Sequence, residues 1–576
     1  MKPFRSLISV AKKGRAADLV LKGGQVFNVF TGDFVTSDVA IVEGYIAGVG
    51  QYSGREELDL RGKYVTPGFI DGHVHIESSM VSPAEFARAV VPSGTTTVVA
   101  DPHEIANVAG LDGIRYMLAA SAGLPLRVYV MLPSCVPASP LEHSGAVLGA
   151  SDLAELMHHP RVLGLGELMN YPGTLAQDED VLAKIDLALA AGKLIDGHAP
   201  GLGGSQLMAY AAAGIRSDHE CTTPEEARER LAAGMHVMLR EGSAAQNLAD
   251  LLPAVDAYTA RHCLLATDDR HPGDLIALGS INHLVKKAVE AGTALPLVLQ
   301  MATLNAASYF GLDDLGAIAP GFAADVLVFD DLKSWRPSLV IKAGRIVAED
   351  GKPLFAGREA HDAAADARVR NTVRLKPIDP AQLKIPARSG KARVIGLVPH
   401  QIVTRKLILD VPAANGEFMP DPAAGILKLA VFERHNHTGH AAAGLVHGLG
   451  LTSGAIASTV AHDSHNLIVI GANDADMLLA AREIERMQGG IAIVKNGRVL
   501  KSFPLPLAGL MSDQDIYTVE TELAGLRSIA RQLGVKPEYD PIFTLAFLSL
   551  PVIPALKLTD MGLIDAETFS LVPVSL

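Results

Sequence analysis

The chain has 576 residues, 49% hydrophobic and 20% charged, a globular composition on a length that predicts more than one domain. Its formal net charge is −13 without a basic tract, which argues against a nucleic-acid partner, because polyanion binding needs clustered Lys and Arg. A small neutral substrate fits this balance. The three cysteines, Cys135, Cys221 and Cys263, are too few to staple an exported protein of this size. The N-terminus lacks the apolar core of an export signal, and no apolar run of about 18 residues follows. The expectation is a soluble, cytoplasmic protein with no membrane partner.

From Ala17 to Thr66, short β runs broken at Gly and Asp (ADLVLKGGQVFN, DVAIVEGYIAGVG) predict hairpins. The same texture returns in Gly316 to Asp331 and Ser338 to Lys352. Both segments are expected to pair in one small β domain of sandwich type, 1–66 with 320–369, into which a second domain is inserted. That insertion, 67–319, alternates β-branched runs with helix-like segments. Its runs are YVTPGFIDGHVHI, TTTVVADP, LRVYVMLP, VLGLGE, KLIDGHAP, IRSDHE, MHVMLR and CLLATDD, which is what an α/β fold of the (β/α)8 TIM-barrel type requires. Residues 370–576 form a third, α/β or α+β, region. There Asn496-Gly497 between apolar runs predicts a hairpin, and ADMLLAAREIERM an amphipathic helix.

Polar residues gather at the ends of the barrel runs, where this fold keeps its active site. His73 and His75 are two apart in an extended segment, so both imidazoles can face the barrel mouth and share a metal. Glu167, His198, His219 and Asp268 follow the fourth, fifth, sixth and eighth runs. Four histidines and two carboxylates on one rim can hold two first-row divalent cations, with one carboxylate between them. Mn2+, Fe2+ and Zn2+ all accept such ligands, the first two being preferred here.

This ordered set, with PGFIDGHVH on the first strand, resembles the amidohydrolase superfamily over the β domain and the whole barrel. The resemblance implies His73, His75 and Asp268 on one metal, His198 and His219 on the other, and Glu167 as the bridge. Many two-metal members bridge with a carbamylated lysine, and VLGLGELMN contains none. A finer resemblance is to bacterial adenine deaminases, in HIESSM (His75 to Met80), DPHEIANV (Asp101 to Val108), GHAPGLGG (Gly197 to Gly204), MLREGSAAQNL (Met238 to Leu248) and ATDDR (Ala266 to Arg270). HDSHN (His462 to Asn466) and FLSLPVIPALKLT (Phe547 to Thr559) extend it into the third domain. It implies hydrolytic deamination of adenine to hypoxanthine and ammonia, in purine salvage, by water activated at a metal. A homo-oligomer is the family expectation.

Such a reaction needs a carboxylate to take the water's proton and an acid to serve N1 and the leaving amine. Asp268, beside the metals, is the expected base. Glu104 and Asp101, after the second strand with His103, are the expected donors, on the argument that a carboxyl crowded by acids has a raised pKa. Glu77 is the next candidate. The bland reading of the same cluster is a polar loop or helix cap. Arg240, Glu241 and Ser243 follow the seventh strand and are expected to contact the purine edge; a salt bridge between Arg240 and Glu241 or a neighbour, with no substrate contact, is the competing reading. His435, His437 and His440 lie in a polar loop without an obvious carboxylate and are read as structural or exposed. His462, Asp463 and His465 could complete or cover the pocket. Two other functions compete: a cyclic-amide hydrolase of the same superfamily, such as a dihydroorotase or hydantoinase, and a non-catalytic binding scaffold.

Overall fold

A computed structural model describes residues 2–356 and 363–576. Eight parallel strands form the barrel: β1 (Phe69–His75), β2 (Thr95–Ala100), β3 (Arg127–Leu132), β4 (Val162–Leu168), β5 (Leu194–Gly197), β6 (Ser217–Asp218), β7 (His236–Arg240) and β8 (Cys263–Ala266). Ladders join β5-β4-β3-β2-β1 in one arc and β6-β7-β8 in another. Closure between the arcs comes from Asp268–Asp269, just past β8, which pair in parallel with Val74 and His75. On the other side the Arg216 N–H donates to the Ile195 carbonyl at 3.0 Å. β1 and β2 are buried along their whole length. That is why they read as near-continuous apolar or β-branched runs rather than alternating ones: helices cover the outside and side chains fill the inside.

The first of the eight runs in the sequence divides in two. Tyr64–Pro67 belongs to a nine-stranded sheet, and only Phe69–His75 enters the barrel. In that sheet Tyr64–Pro67 pairs antiparallel with Val326–Phe329, so strands from before and after the barrel are hydrogen-bonded together, as their shared texture suggests. A short helix the sequence reading did not anticipate, Phe4–Ala11, buries Leu7 and Val10 against Val20 and Val42 of this sheet.

The C-terminal region is built on an eight-stranded mixed sheet. The Asn496-Gly497 turn joins Gly490–Lys495 to Arg498–Pro504, with φ of +50° and +72° at the two turn residues, the left-handed pair that a two-residue hairpin needs. The amphipathic helix spans Asp474–Met487; Asn473 caps it by accepting from the Asp476 N–H. It buries Met477, Ala480, Ala481 and Ile484, and the two large side chains are worth about 1.5–3 kcal/mol each. This region docks on the barrel through the loop after β3. Thr559 Oγ1 donates to the Leu141 carbonyl at 2.6 Å, and His143 Nδ1 lies 2.6 Å from Asp560. Among the described residues no helix is long and apolar enough to cross a membrane.

Candidate active site

The ends of β1, β4, β5, β6 and β8 bring the expected ligands to one point at the barrel mouth. His73 Nε2 and His75 Nε2 lie 3.1 Å apart. His75 Nδ1 is 2.9 Å from the Asp101 carbonyl; donation there turns the Nε2 lone pair inward, as a ligating imidazole needs. Asp268 Oδ1 lies 3.0 Å from His75 Nε2 and 3.5 Å from His73 Nε2. It sits at φ +56°, a left-handed conformation that Asp tolerates better than most residues, at the bend where the chain leaves β8. His198 Nδ1 lies 3.3 Å from His219 Nε2, and the His73 and His219 rings stack with centroids 4.2 Å apart.

Glu167 stands between the two groups. Its Oε2 is 2.8 Å from His198 Nδ1 and 3.2 Å from His219 Nε2, while its Oε1 is 3.3 Å from His75 Nε2 and 3.1 Å from His103 Nδ1. Burial would push this carboxyl up, but the imidazoles of His103, His198, His219 and His75 hold it well below the ordinary carboxylate value. Its position is fixed from behind. Asp101 Oδ2 accepts from the Glu167 N–H at 3.0 Å. Gly166 permits that approach, since a Cβ there would lie 2.0 Å from Asp101 Oδ2.

The donor set fits divalent cations. Glu167 Oε1 is buried without a hydrogen-bond partner, an arrangement that is costly for a carboxylate oxygen. The ligand atoms of His73, His75 and Asp268, and likewise those of His73, Glu167 and His219, lie within 4.8 Å of one another. Imidazole and carboxylate are the ligands first-row divalent ions take.

A chamber of about 70 Å³ above these groups is lined by Glu104, Asp268, His462, Asp463, Phe547 and Ile553, among others, and adjoins an outer cleft of about 730 Å³. Its roof belongs to the C-terminal region. His462 Nδ1 lies 2.5 Å from Glu104 Oε1, and His465 Nε2 contacts Glu104 Oε2. Burial would raise the Glu104 carboxyl, but His462, His465 and His103 hold it well below its usual value.

Several expectations change here. Glu104 reaches the chamber, yet it is clasped by imidazoles rather than crowded by acids, and its carboxyl is held down rather than raised. Asp101 turns beneath β4 to hold the Glu167 backbone and does not line the chamber. Glu77 lies behind the wall, accepting from the Ile105 N–H at 3.2 Å, and burial raises it to about 7. Glu241 points away, to Lys287 and the Leu248 N–H. Ser243 Oγ donates to Asp274 at 2.5 Å and accepts from the His271 N–H, on the wall of the outer cleft.

Arg240 lines the chamber but spends its guanidinium on Glu220, Asp268 and Asn247. These are internal salt bridges, but with Glu220 and Asp268 rather than with Glu241. His103 lines the chamber and packs against Glu167 and Glu104. His435 is buried with Nε2 2.8 Å from the Ser464 carbonyl, and His437 and His440 are exposed. The sequence reading missed Glu220. The only signal for it was a carboxylate directly after the sixth-strand histidine, in SDHE.

Comparison with known proteins accounts for both halves of this site. Residues 64–347 match the model of the amidohydrolase family, and residues 401–570 match that of the adenine deaminase C-terminal domain. Adenine deaminase 2 of Carboxydothermus hydrogenoformans is 65% identical over 100% of both chains. The adenine deaminase of Nitratidesulfovibrio vulgaris is 51% identical over 99% of each, and that of Geobacillus kaustophilus 46% over 98% of each. With barrel and C-terminal region matched end to end at these identities, the chain belongs to the adenine deaminase family of amidohydrolases.

Proposed function

We propose that this chain hydrolyses adenine to hypoxanthine and ammonia, with His73, His75 and Asp268 holding one divalent cation, His198 and His219 a second, and Glu167 between them. Mn2+ or Fe2+ is the preferred occupant. The observation that carries the reading is Glu167: each of its oxygens faces a different histidine group. Bound there, the cations supply Lewis acidity, which brings the pKa of a water toward neutrality.

The chain's own side chains manage the protons. Water adds its oxygen to C6 of the base, and the C6–N6 bond then breaks. Of the water's two protons, one ends on N1 of hypoxanthine and the other on the departing ammonia. Asp268 Oδ1 faces the histidine pair from the chamber wall, a position suited to taking a proton from the attacking water and passing it to the amine. Glu104 and His462, which also line the chamber, share one proton and serve N1. Burial opposes a charge on His462, but the Glu104 carboxylate raises it to about 9, so the pair carries that proton at neutral pH. Asp101 and Gly166 support Glu167 from below. The work divides along the chain: 67–319 supplies the ligands, 370–576 roofs the chamber, and 1–66 with 320–369 braces the barrel.

The test is ammonia release from adenine, adenosine, cytosine and dihydroorotate, with metal measured on the same sample. Turnover of adenine with about two metal equivalents is the expected result. Hydrolysis of dihydroorotate without ammonia from adenine would favour the cyclic-amide reading instead.

A further inference from the structure

Three side chains stand in a row across the barrel mouth, at the ends of successive strands: Glu220 after β6, Arg240 at the end of β7 and Asp268 after β8. All three line the chamber. Arg240 Nη1 donates to Glu220 Oε1 and, at 3.0 Å, to Asp268 Oδ2. Its Nη2 donates to Glu220 Oε2 at 3.2 Å and to Asn247 Oδ1 at 3.3 Å. The guanidinium thus presents its two-pronged face to Glu220 and a single N–H to Asp268. We propose that Glu220 is a positioning residue for Asp268, acting through Arg240.

Glu220 and Asp268 compete for one guanidinium fork. A guanidinium prefers to engage one carboxylate with two parallel N–H bonds. Here Glu220 takes that face, so Asp268 is held by Oδ2 alone and its Oδ1 is left to His73 and His75. Without Glu220 the fork is free to close on Asp268 and draw both of its oxygens away from the histidines. Glu220 is itself well held. Its backbone N–H donates to Asp218 Oδ1 at 2.9 Å, and Asp218 is pinned by buried Arg230 at 3.0 Å. Arg240 is only 5% exposed, so its choice between the two carboxylates is made where water offers little alternative.

A different role is open to the same residue. Glu220 Oε1 lies 3.5 Å from His219 Nε2 and 3.7 Å from His198 Nδ1, close enough to serve as a ligand. The two roles separate cleanly on metal content.

This inference rests on the proposed deaminase reading, and its test has a readout that does not depend on turnover. Glu220→Gln, Arg240→Lys and the double variant are loaded with Co(II), and metal content, the visible spectrum, kcat and KM for adenine are measured. Glu220→Gln is expected to keep the wild-type metal count and to shift the Co(II) bands as Asp268 changes its approach. Its kcat should fall about 10- to 100-fold with KM changed far less. Arg240→Lys should reproduce the loss, and the double variant should be no worse than Arg240→Lys alone, because one residue acts through the other. Glu220→Asp, which keeps the charge, should recover part of kcat.

Loss of a metal equivalent in Glu220→Gln would make Glu220 a ligand and overturn the proposal. So would an unchanged spectrum, or losses that multiply in the double variant. If wild-type protein releases no ammonia from adenine, the deaminase reading fails, while metal count and spectrum still decide the role of Glu220.

Discussion

The floor and the roof of the chamber are built in opposite ways. The floor is a set of strand ends on one barrel: His73, His75 and Glu167 lie in the last residues of β1 and β4, and His198, His219 and Asp268 come just past β5, β6 and β8. The roof is a loop of the C-terminal region whose His462 meets Glu104 across 358 residues of chain. On the floor, position in the sequence translates into position in space, because every βα unit returns the chain to the same face. In the roof nothing local determines the meeting; it depends on how one folded region docks on another. The difference teaches that the proposed metal ligands are all supplied by the barrel, whereas the contact of Glu104 with His462 needs both regions.

The largest expected effect that bears on this contrast comes from cutting the contact between roof and floor. Glu104→Gln should keep metal content near wild type and lower kcat about 10²-fold, the usual contribution of a general acid–base group. His462→Asn should do the same, and the double variant should be little worse than either single one, since the two share one proton. Wild-type kinetics in His462→Asn would reduce the roof to a cover and confine the chemistry to the barrel.

The convergence of the candidate ligands on the floor was legible in the sequence because they stand at regular strand ends and the residue types able to ligate are few. What the sequence could not supply was the direction in which each rim side chain turns. Glu241 and Arg240 are neighbours at the end of β7, yet one faces Lys287 outside the chamber and the other faces Glu220 and Asp268 inside it. Asp101 and Glu104 share one turn, but Asp101 holds the Glu167 backbone and Glu104 reaches the roof. These outcomes are set by partners far away in sequence, and the same holds for the charge state of Glu104. The hairpin at Asn496-Gly497 and the helix Asp474–Met487 were legible for the contrary reason: their signals are local.

A smaller effect sharpens the contrast through pH. His462 has an ordinary value of 6.5 and is raised to about 9 beside Glu104, against the opposing effect of burial. A group whose pKa is higher folded than unfolded contributes stability that is complete below the unfolded value and is lost as pH rises through the folded one. The Tm difference between wild type and His462→Asn should therefore be largest near the lower value. It should shrink as the pH rises from 6.5 to about 9. A difference that widened over that range would show that the roof is not held by a protonated imidazole.

The central claim is that Glu167 joins two cation sites, and metal stoichiometry tests it most directly. Metal-free wild-type protein titrated with Mn2+ should regain adenine deamination in step with about two equivalents. Glu167→Ala, titrated in the same way, should retain fewer and fall in kcat by at least about 10²-fold. Full wild-type activity at one equivalent, or a Glu167→Ala protein that holds two and turns over adenine normally, would contradict the account.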